Sequence, residues 1–243
     1  MHAQLVMVIA VGTFAATLVG GFAALRFRDR LHLILGFSAG AVIAVAFFDL
    51  LPESLALGVP THGPGALLSI TAAGFFAYMI LDRLVLFHTH IDDHHAGASV
   101  GRGWAGAASL SAHSFMDGFA IGIAFQASAA AGFVVALAVL AHDFSDGLNT
   151  VNLVLKNGGT RRQAFGWLSL DALTPVVGAG VSLLTRLPAG SLSLVLALLG
   201  GFFFYIGASD LLPDSYHAHP KFLTTVMTLL GAGALYLIIH LAG

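Results

Sequence analysis

Long apolar runs alternate with short polar joints along the chain, and eight runs stand out: 4–25, 32–55, 66–87, 104–126, 131–155, 163–184, 191–214 and 222–242. Each is close to the roughly 20 residues that a helix rising 1.5 Å per residue needs to cross ~30 Å of hydrocarbon. Lipid offers no partner to a peptide group, so each run predicts a helix that satisfies its own backbone, in preference to a barrel. The expected fold is an all-α membrane protein with eight transmembrane helices in a single domain over 1–243. Small residues, as in "GFSAGAVIA" (36–44) and "GAGVS" (178–182), would let helices approach closely. Only Met1-His2-Ala3-Gln4 precedes the first run, with no basic leader, so it reads as a retained helix and not a cleaved signal.

Composition supports the membrane assignment. Of 243 residues, 9% are charged, against roughly 25% in a soluble domain. The absence of cysteine excludes disulfides and thiolate metal sites. A net charge of −2 gives no electrostatic footprint for nucleic acid. The bilayer and a metal ion are the expected partners, with a homodimer left open.

The basic residues test the helix count. With eight spans, Arg26, Arg28, Arg30, Arg83, Arg102, Lys156, Arg161, Arg162 and Lys221 fall in or beside connections 1–2, 3–4, 5–6 and 7–8. Arg186 alone falls on the other side. The positive-inside rule then puts both termini outside the cytoplasm of what is expected to be a plasma (inner) membrane protein. An internal echo refines the architecture: "FFDLLPES" (47–54) closes span 2 and "GASDLLPDS" (207–215) closes span 7, near opposite faces. That predicts a 3+2+3 arrangement, an inverted repeat of helices 1–3 and 6–8 around helices 4–5.

The central pair carries the chemistry. "HSFMDG" in span 4 holds His113, Ser114 and Asp117, and "HDFSDG" in span 5 holds His142, Asp143 and Asp146. Each His–Asp pair is spaced i, i+4, on one helical face. His113 lies nine residues into span 4 and His142 eleven into span 5. Both sets thus sit near the bilayer midplane, where a charge costs at least ~2.5–3.5 kcal/mol. Polar groups at that depth need one another or a ligand. Imidazole and carboxylate suit Zn²⁺, Fe²⁺, Mn²⁺ and similar divalent ions. Antiparallel helices joined by a short outer loop (127–130) can present His113, Asp117, His142 and Asp146 around one point. Asp143 could serve a second ion bridged by Asp117 and Asp146. Gly118 and Gly147 would allow close packing or a local loosening of the helix.

At these residues the sequence resembles the ZIP (Zrt-, Irt-like) family of divalent-metal transporters. Its helix-4 pattern, H-N-x-x-E-G or H-S-x-x-x-G, is similar to His113, Ser114, Asp117 and Gly118, and its helix-5 pattern, [HQ]-[NED]-x-P-E-G, to His142, Asp143, Asp146 and Gly147. "GFSAGAVIAVAFFDLLPES" and "GGFFFYIGASDLLPDS" extend the likeness over most of the chain, and "HTHIDDHH" (88–95) matches the histidine-rich cytoplasmic segment between helices 3 and 4, here 88–103. The resemblance implies eight helices, external termini, a metal site between helices 4 and 5, and elevator-like movement of divalent metal into the cytoplasm, with zinc foremost and iron, manganese or cadmium as alternatives. Both motif acids are Asp where relatives often have Glu, and the proline before them is missing. In helix 6, where the family often has Glu before Pro, Thr174 precedes Pro175 and Asp171 lies one turn earlier as a candidate replacement ligand.

Other polar residues are assigned by position. His88, His90, Asp92, Asp93, His94 and His95 could capture or sense metal on the cytoplasmic side. Asp49 and Glu53 could guide ions inward, and Asp210, Asp214, His217 and His219 could do so near the exit. Asn149 is a path-lining candidate, with Asn152 weaker, and Asp82 with Arg83 reads as an interfacial pair. The small residues of spans 1, 4, 5 and 6 are expected to form a sliding face. The competing function is an intramembrane zinc hydrolase using a His/Asp-bound ion to activate water. A retinal-type pump is excluded because Lys156 and Lys221 lie at membrane edges, and no phosphate-binding Gly-rich motif supports nucleotide-driven transport.

Overall fold

The computed structural model describes residues 2–23, 31–90, 100–217 and 222–242. Arg26, Arg28, Arg30, Lys221, His219 and the Asp92–His95 part of the histidine-rich segment lie outside them. The described residues are helical almost throughout and contain no strand. Eight rods follow in chain order: α1 (His2–Ala23), α2 (Leu31–Val45, a π turn at Ala46–Leu50, then Leu51–His62), α3 (Pro64–His90) and α4 (Val100–Ala127). They continue with α5 (Ala129–Lys156), α6 (Arg161–Leu184), α7 (Ala189–Tyr205, a π turn at Ile206–Leu211, then Leu212–His217) and α8 (Phe222–Ala242). Among the described residues, seven are long and apolar enough to cross a membrane. The exception, α4, is diluted by its own His113, Ser114 and Asp117.

Local chemistry sets the ends. α2 runs to His62, beyond the expected 55, and stops where Gly63 takes φ 73°. The turn between α4 and α5 is one residue, Ser128, whose hydroxyl caps α5 by accepting from the Ala131 N–H at 3.0 Å. α5 leaves through Gly158 at φ 84°. A reciprocal capping box between Thr160 and Gln163 then starts α6.

Both copies of the D-L-L-P echo are built alike. In each, a π turn immediately precedes Leu-Pro, and an i to i−5 bond closes it: Leu51 N–H to the Ala46 carbonyl, Leu212 N–H to the Gly207 carbonyl. Proline inside a helix lacks a donor and crowds the preceding turn. A wide turn absorbs that conflict. It also divides each rod. Leu31–Val45 packs on α8 and Leu51–His62 on α7, while Ala189–Tyr205 packs on α3 and Leu212–His217 on Leu31–Val45.

The rods sort into two groups. α1, α4, α5 and α6 pack on one another, as do α2, α3, α7 and α8. α2 against α5, and α3 and α7 against α4, join the groups. Glycines bring backbones together within each group. A Cβ on Gly147 of α5 would strike Thr17 of α1, and one on Gly118 of α4 would strike Pro175 of α6. In the second group, Gly40 of α2 abuts Thr228 of α8, and Gly201 of α7 abuts Thr71 of α3. Exchanging α1 with α6, α2 with α7, α3 with α8 and α4 with α5 turns each contact into its counterpart. Gly147 and Gly118 thus hold α5 to α1 and α4 to α6 inside the first group. Without a hydrophobic drive in lipid, close van der Waals packing is what such contacts supply.

Candidate metal site

α4 and α5 face each other inside the first group, and their adjoining faces carry the two H-x-x-x-D steps. His113, Asp117, His142 and Asp146 are all at most 5% exposed. One donor atom from each lies within 4.8 Å of the other three. His113 Nε2 is 3.2 Å from Asp117 Oδ2 and 3.6 Å from Asp146 Oδ2. His142 Nε2 is 3.2 Å and 3.8 Å from the same two atoms. An ion bonded tetrahedrally at about 2.0–2.2 Å has donor–donor edges of about 3.3–3.6 Å. The four His–Asp edges bracket that length and the remaining two lie within 4.8 Å, so the four donors are close enough to share one ion.

Both rings are held from behind. Tyr78 Oη on α3 is 2.9 Å from His113 Nδ1. His142 Nδ1 is 2.9 Å from the Ala138 carbonyl, one turn earlier on α5. Each contact aims Nε2 at the carboxylates. Metal-bound histidine characteristically uses its other ring nitrogen in this way.

The remaining expected ligands adjoin the four without joining them. Asp171 is fully buried on α6, where Ser114 Oγ and Thr150 Oγ1 donate to its two oxygens, each at 2.8 Å. Ser114 thus reaches Asp171, while Thr174 turns back to the Asp171 carbonyl at 2.8 Å. Asp143 is fully buried and neither carboxylate oxygen has a hydrogen-bond partner; Asp117 Oδ1 has none either. The charged neighbours of Asp143 are His142, Asp117, Asp146 and Asp171. Acceptors buried without donors are costly, and a cation is the group that would offset several at once.

Two residues escaped the sequence reading. Tyr78 carried the signal of a phenol set within an apolar span, which needs a hydrogen-bond partner. Thr150, one turn past Asp146 and next to the path-lining candidate Asn149, donates to Asp171. Asp82, expected as an interfacial pair with Arg83, accepts the Tyr205 hydroxyl at 2.9 Å and ties α3 to α7. Asp49 lies in the first π turn, with its Oδ2 buried and unbonded. A cavity of about 470 Å³ between α3, α4 and α7 runs from Asp82 and Ala105 up to Tyr78 and His113. A second, of about 480 Å³, lies at the other end of α4 beside Gln126, Ser128 and Arg186.

Known proteins are similar to this chain in sequence. Residues 88–239, more than half of the chain, match the family described as ZIP zinc transporter. Zinc transporter ZIP10 of Mus musculus is 32% identical over 106 residues, 43% of this chain and 13% of that protein. Zinc transporter ZIP4 of Homo sapiens is 35% identical over 101 residues, 42% of this chain and 16% of that protein. Zinc transporter ZIP13 of Pongo abelii is 25% identical over 197 residues, 76% of this chain and 58% of that protein. The chain therefore spans between about an eighth and somewhat over half of these relatives. With the matched segment reaching from the end of α3 into α8 across both H-x-x-x-D steps, the chain belongs to the ZIP zinc transporter family.

Proposed function

We propose that this chain carries divalent transition-metal ions, zinc foremost, across its membrane into the cytoplasm, and that His113, Asp117, His142 and Asp146 hold the ion in transit. The observation that carries the reading is the convergence of four buried donors, all within 4.8 Å of one another, between α4 and α5. Membership of a zinc transporter family supplies the substrate class. The direction into the cytoplasm is the one the family resemblance implies; the cavity reaches His113 from the end where Arg83 and Arg102 lie, the side that the positive-inside rule makes cytoplasmic.

The proposed architecture is the 3+2+3 inverted repeat, supported by the paired π turns and the interchangeable glycine contacts. In the proposed cycle, α1, α4, α5 and α6 move as one body against α2, α3, α7 and α8, carrying the ion between faces. Close backbone contacts inside the first group favour its moving whole. Asp143, with Asp117 and Asp146 beside it, is the proposed second ion position. Asp171 borders it, held by Ser114 and Thr150. A hydrolase is disfavoured by the same geometry, since catalytic zinc keeps one position open for water and four donors would close it.

Zinc uptake into proteoliposomes tests the reading. His142→Ala and Asp146→Ala are each expected to abolish uptake while the protein remains inserted. Undiminished flux in both, at equal reconstitution, would refute it. A metal-competition series in the same vesicles ranks zinc against iron, manganese and cadmium.

A further inference from the structure

All four converging donors belong to one helical group, yet one of them is oriented from the other. Tyr78 lies on α3, 7% exposed, and packs its ring against Phe202 and Tyr205 of α7, with centroids 5.5 Å away in each case. Its hydroxyl crosses to α4 and meets His113 Nδ1 at 2.9 Å. The counterpart on α5 differs. His142 Nδ1 bonds to Ala138 of its own helix, and so its orientation travels with α5. Of the two imidazoles, only His113 has its back nitrogen engaged by a side chain of the opposite group.

We propose that Tyr78 is a positioning residue for the metal site, fixing the His113 ring from α3 so that the affinity of the site for its ion depends on how the two helical groups sit against each other. The inference rests on the metal-site reading above and adds a state dependence to it. With an ion on Nε2, the ring proton resides on Nδ1 and the tyrosine oxygen accepts it. The ring is then held in the orientation that gives the 3.2 and 3.6 Å edges to Asp117 and Asp146. Displacement of α4 along α3 by even part of a helical turn takes Nδ1 out of reach of a hydroxyl anchored among the α7 aromatics. His113 then loses its support while His142 keeps its own. Losing such an outer partner typically weakens metal binding by about 10–100-fold. The site therefore binds tightly in the arrangement described and loosely in one where the groups are offset. Tyr78 and His113 both line the cavity between α3, α4 and α7, so this contact sits at the boundary between the two groups.

The test is equilibrium Zn²⁺ binding to the purified full chain by competition with a chelator, comparing Tyr78→Phe, His113→Ala and the double variant. Tyr78→Phe keeps the ring and its aromatic contacts and removes only the hydroxyl. It is expected to weaken Zn²⁺ binding by about 10–100-fold, and the double variant is expected to bind no more weakly than His113→Ala alone. Non-additivity is the mark of a residue that acts through another. The ¹⁵N spectrum of ring-labelled His113 gives a readout that a packing role would not move: with Zn²⁺ bound, the Nδ1 resonance should shift between wild type and Tyr78→Phe. Wild-type affinity with an unshifted resonance in Tyr78→Phe would overturn the proposal. So would an equal further loss when Tyr78→Phe is added to His113→Ala. If His113→Ala itself binds Zn²⁺ like wild type, the metal-site reading fails instead, which keeps the two failures apart.

Discussion

Gly118 and Gly147 each follow an aspartate of the proposed metal site, and their lack of a side chain lets two helices touch backbone to backbone. In Gly147→Ala the new Cβ would sit 2.7 Å from the Thr17 carbonyl carbon and 3.0 Å from the Gly21 nitrogen on α1. In Gly118→Ala it would sit 2.5 Å and 2.6 Å from the carbonyl carbon and Cα of Pro175 on α6. Carbon atoms pack at about 3.5–4.0 Å, so each pair of helices must part by roughly 1 Å. The obstacles are main-chain atoms, which no rotamer change can move aside. Overpacking of this kind costs typically about 1–3 kcal/mol, exceeding the roughly 1 kcal/mol that alanine gains over glycine inside a helix. Gly180, on α6, supplies the control: a Cβ there meets nothing within 4 Å, so Gly180→Ala should keep or raise stability. A shift of ~1 Å in a reacting geometry can cost about 100-fold in rate, and each aspartate is covalently next to the displaced glycine. Thermal unfolding in detergent and zinc uptake at matched reconstitution should therefore show Gly118→Ala and Gly147→Ala with lowered Tm and at least about tenfold slower uptake. If both behave like Gly180→Ala in the two assays, the close-approach reasoning is wrong.

Two further outcomes rest on side-chain hydrogen bonds. Ser114→Ala and Thr150→Ala each strip one donor from the buried Asp171 carboxylate and should each cost about 1–3 kcal/mol of stability; unchanged unfolding in both would show that Asp171 finds other donors. Gln126 joins the end of α4 to the α6–α7 connection, donating to the Ser182 and Thr185 carbonyls at 3.0 and 2.8 Å and accepting from the Leu187 N–H at 3.2 Å. Gln126→Ala should lower Tm and speed proteolysis after Arg186, and an unaltered cleavage rate would contradict that bracing role.

The spans were legible because each hydrophobic run is close to the thickness it must cross, and the i, i+4 spacing of the two motifs alone placed each His beside its Asp. What the sequence concealed were relations between helices distant along the chain. Tyr78 is thirty-five residues from His113 and Thr150 twenty-one from Asp171, so no periodicity links them. The end of α2 lies beyond 55 because Ala56-Leu57-Gly58-Val59 continue the apolar helix, which runs to His62 and stops at Gly63, with its positive φ. Glycine enrichment was plain, but which neighbour each glycine admits depends on packing: Gly147 meets Thr17 and Gly118 meets Pro175.

The π turns of α2 and α7 have a mechanical consequence. In water a chain changes neighbours by breaking into a loop, whose peptides the solvent receives, whereas hydrocarbon offers them nothing. One widened turn solves this by rotating the remainder of a rod about its own axis while every peptide stays bonded along it. α2 thereby turns one flank to α8 above the step and another to α7 beneath it, and α7 does likewise with α3 and α2. Each acts as a cranked shaft, and the two rods interlock beside the proposed ion site without a break in either helix.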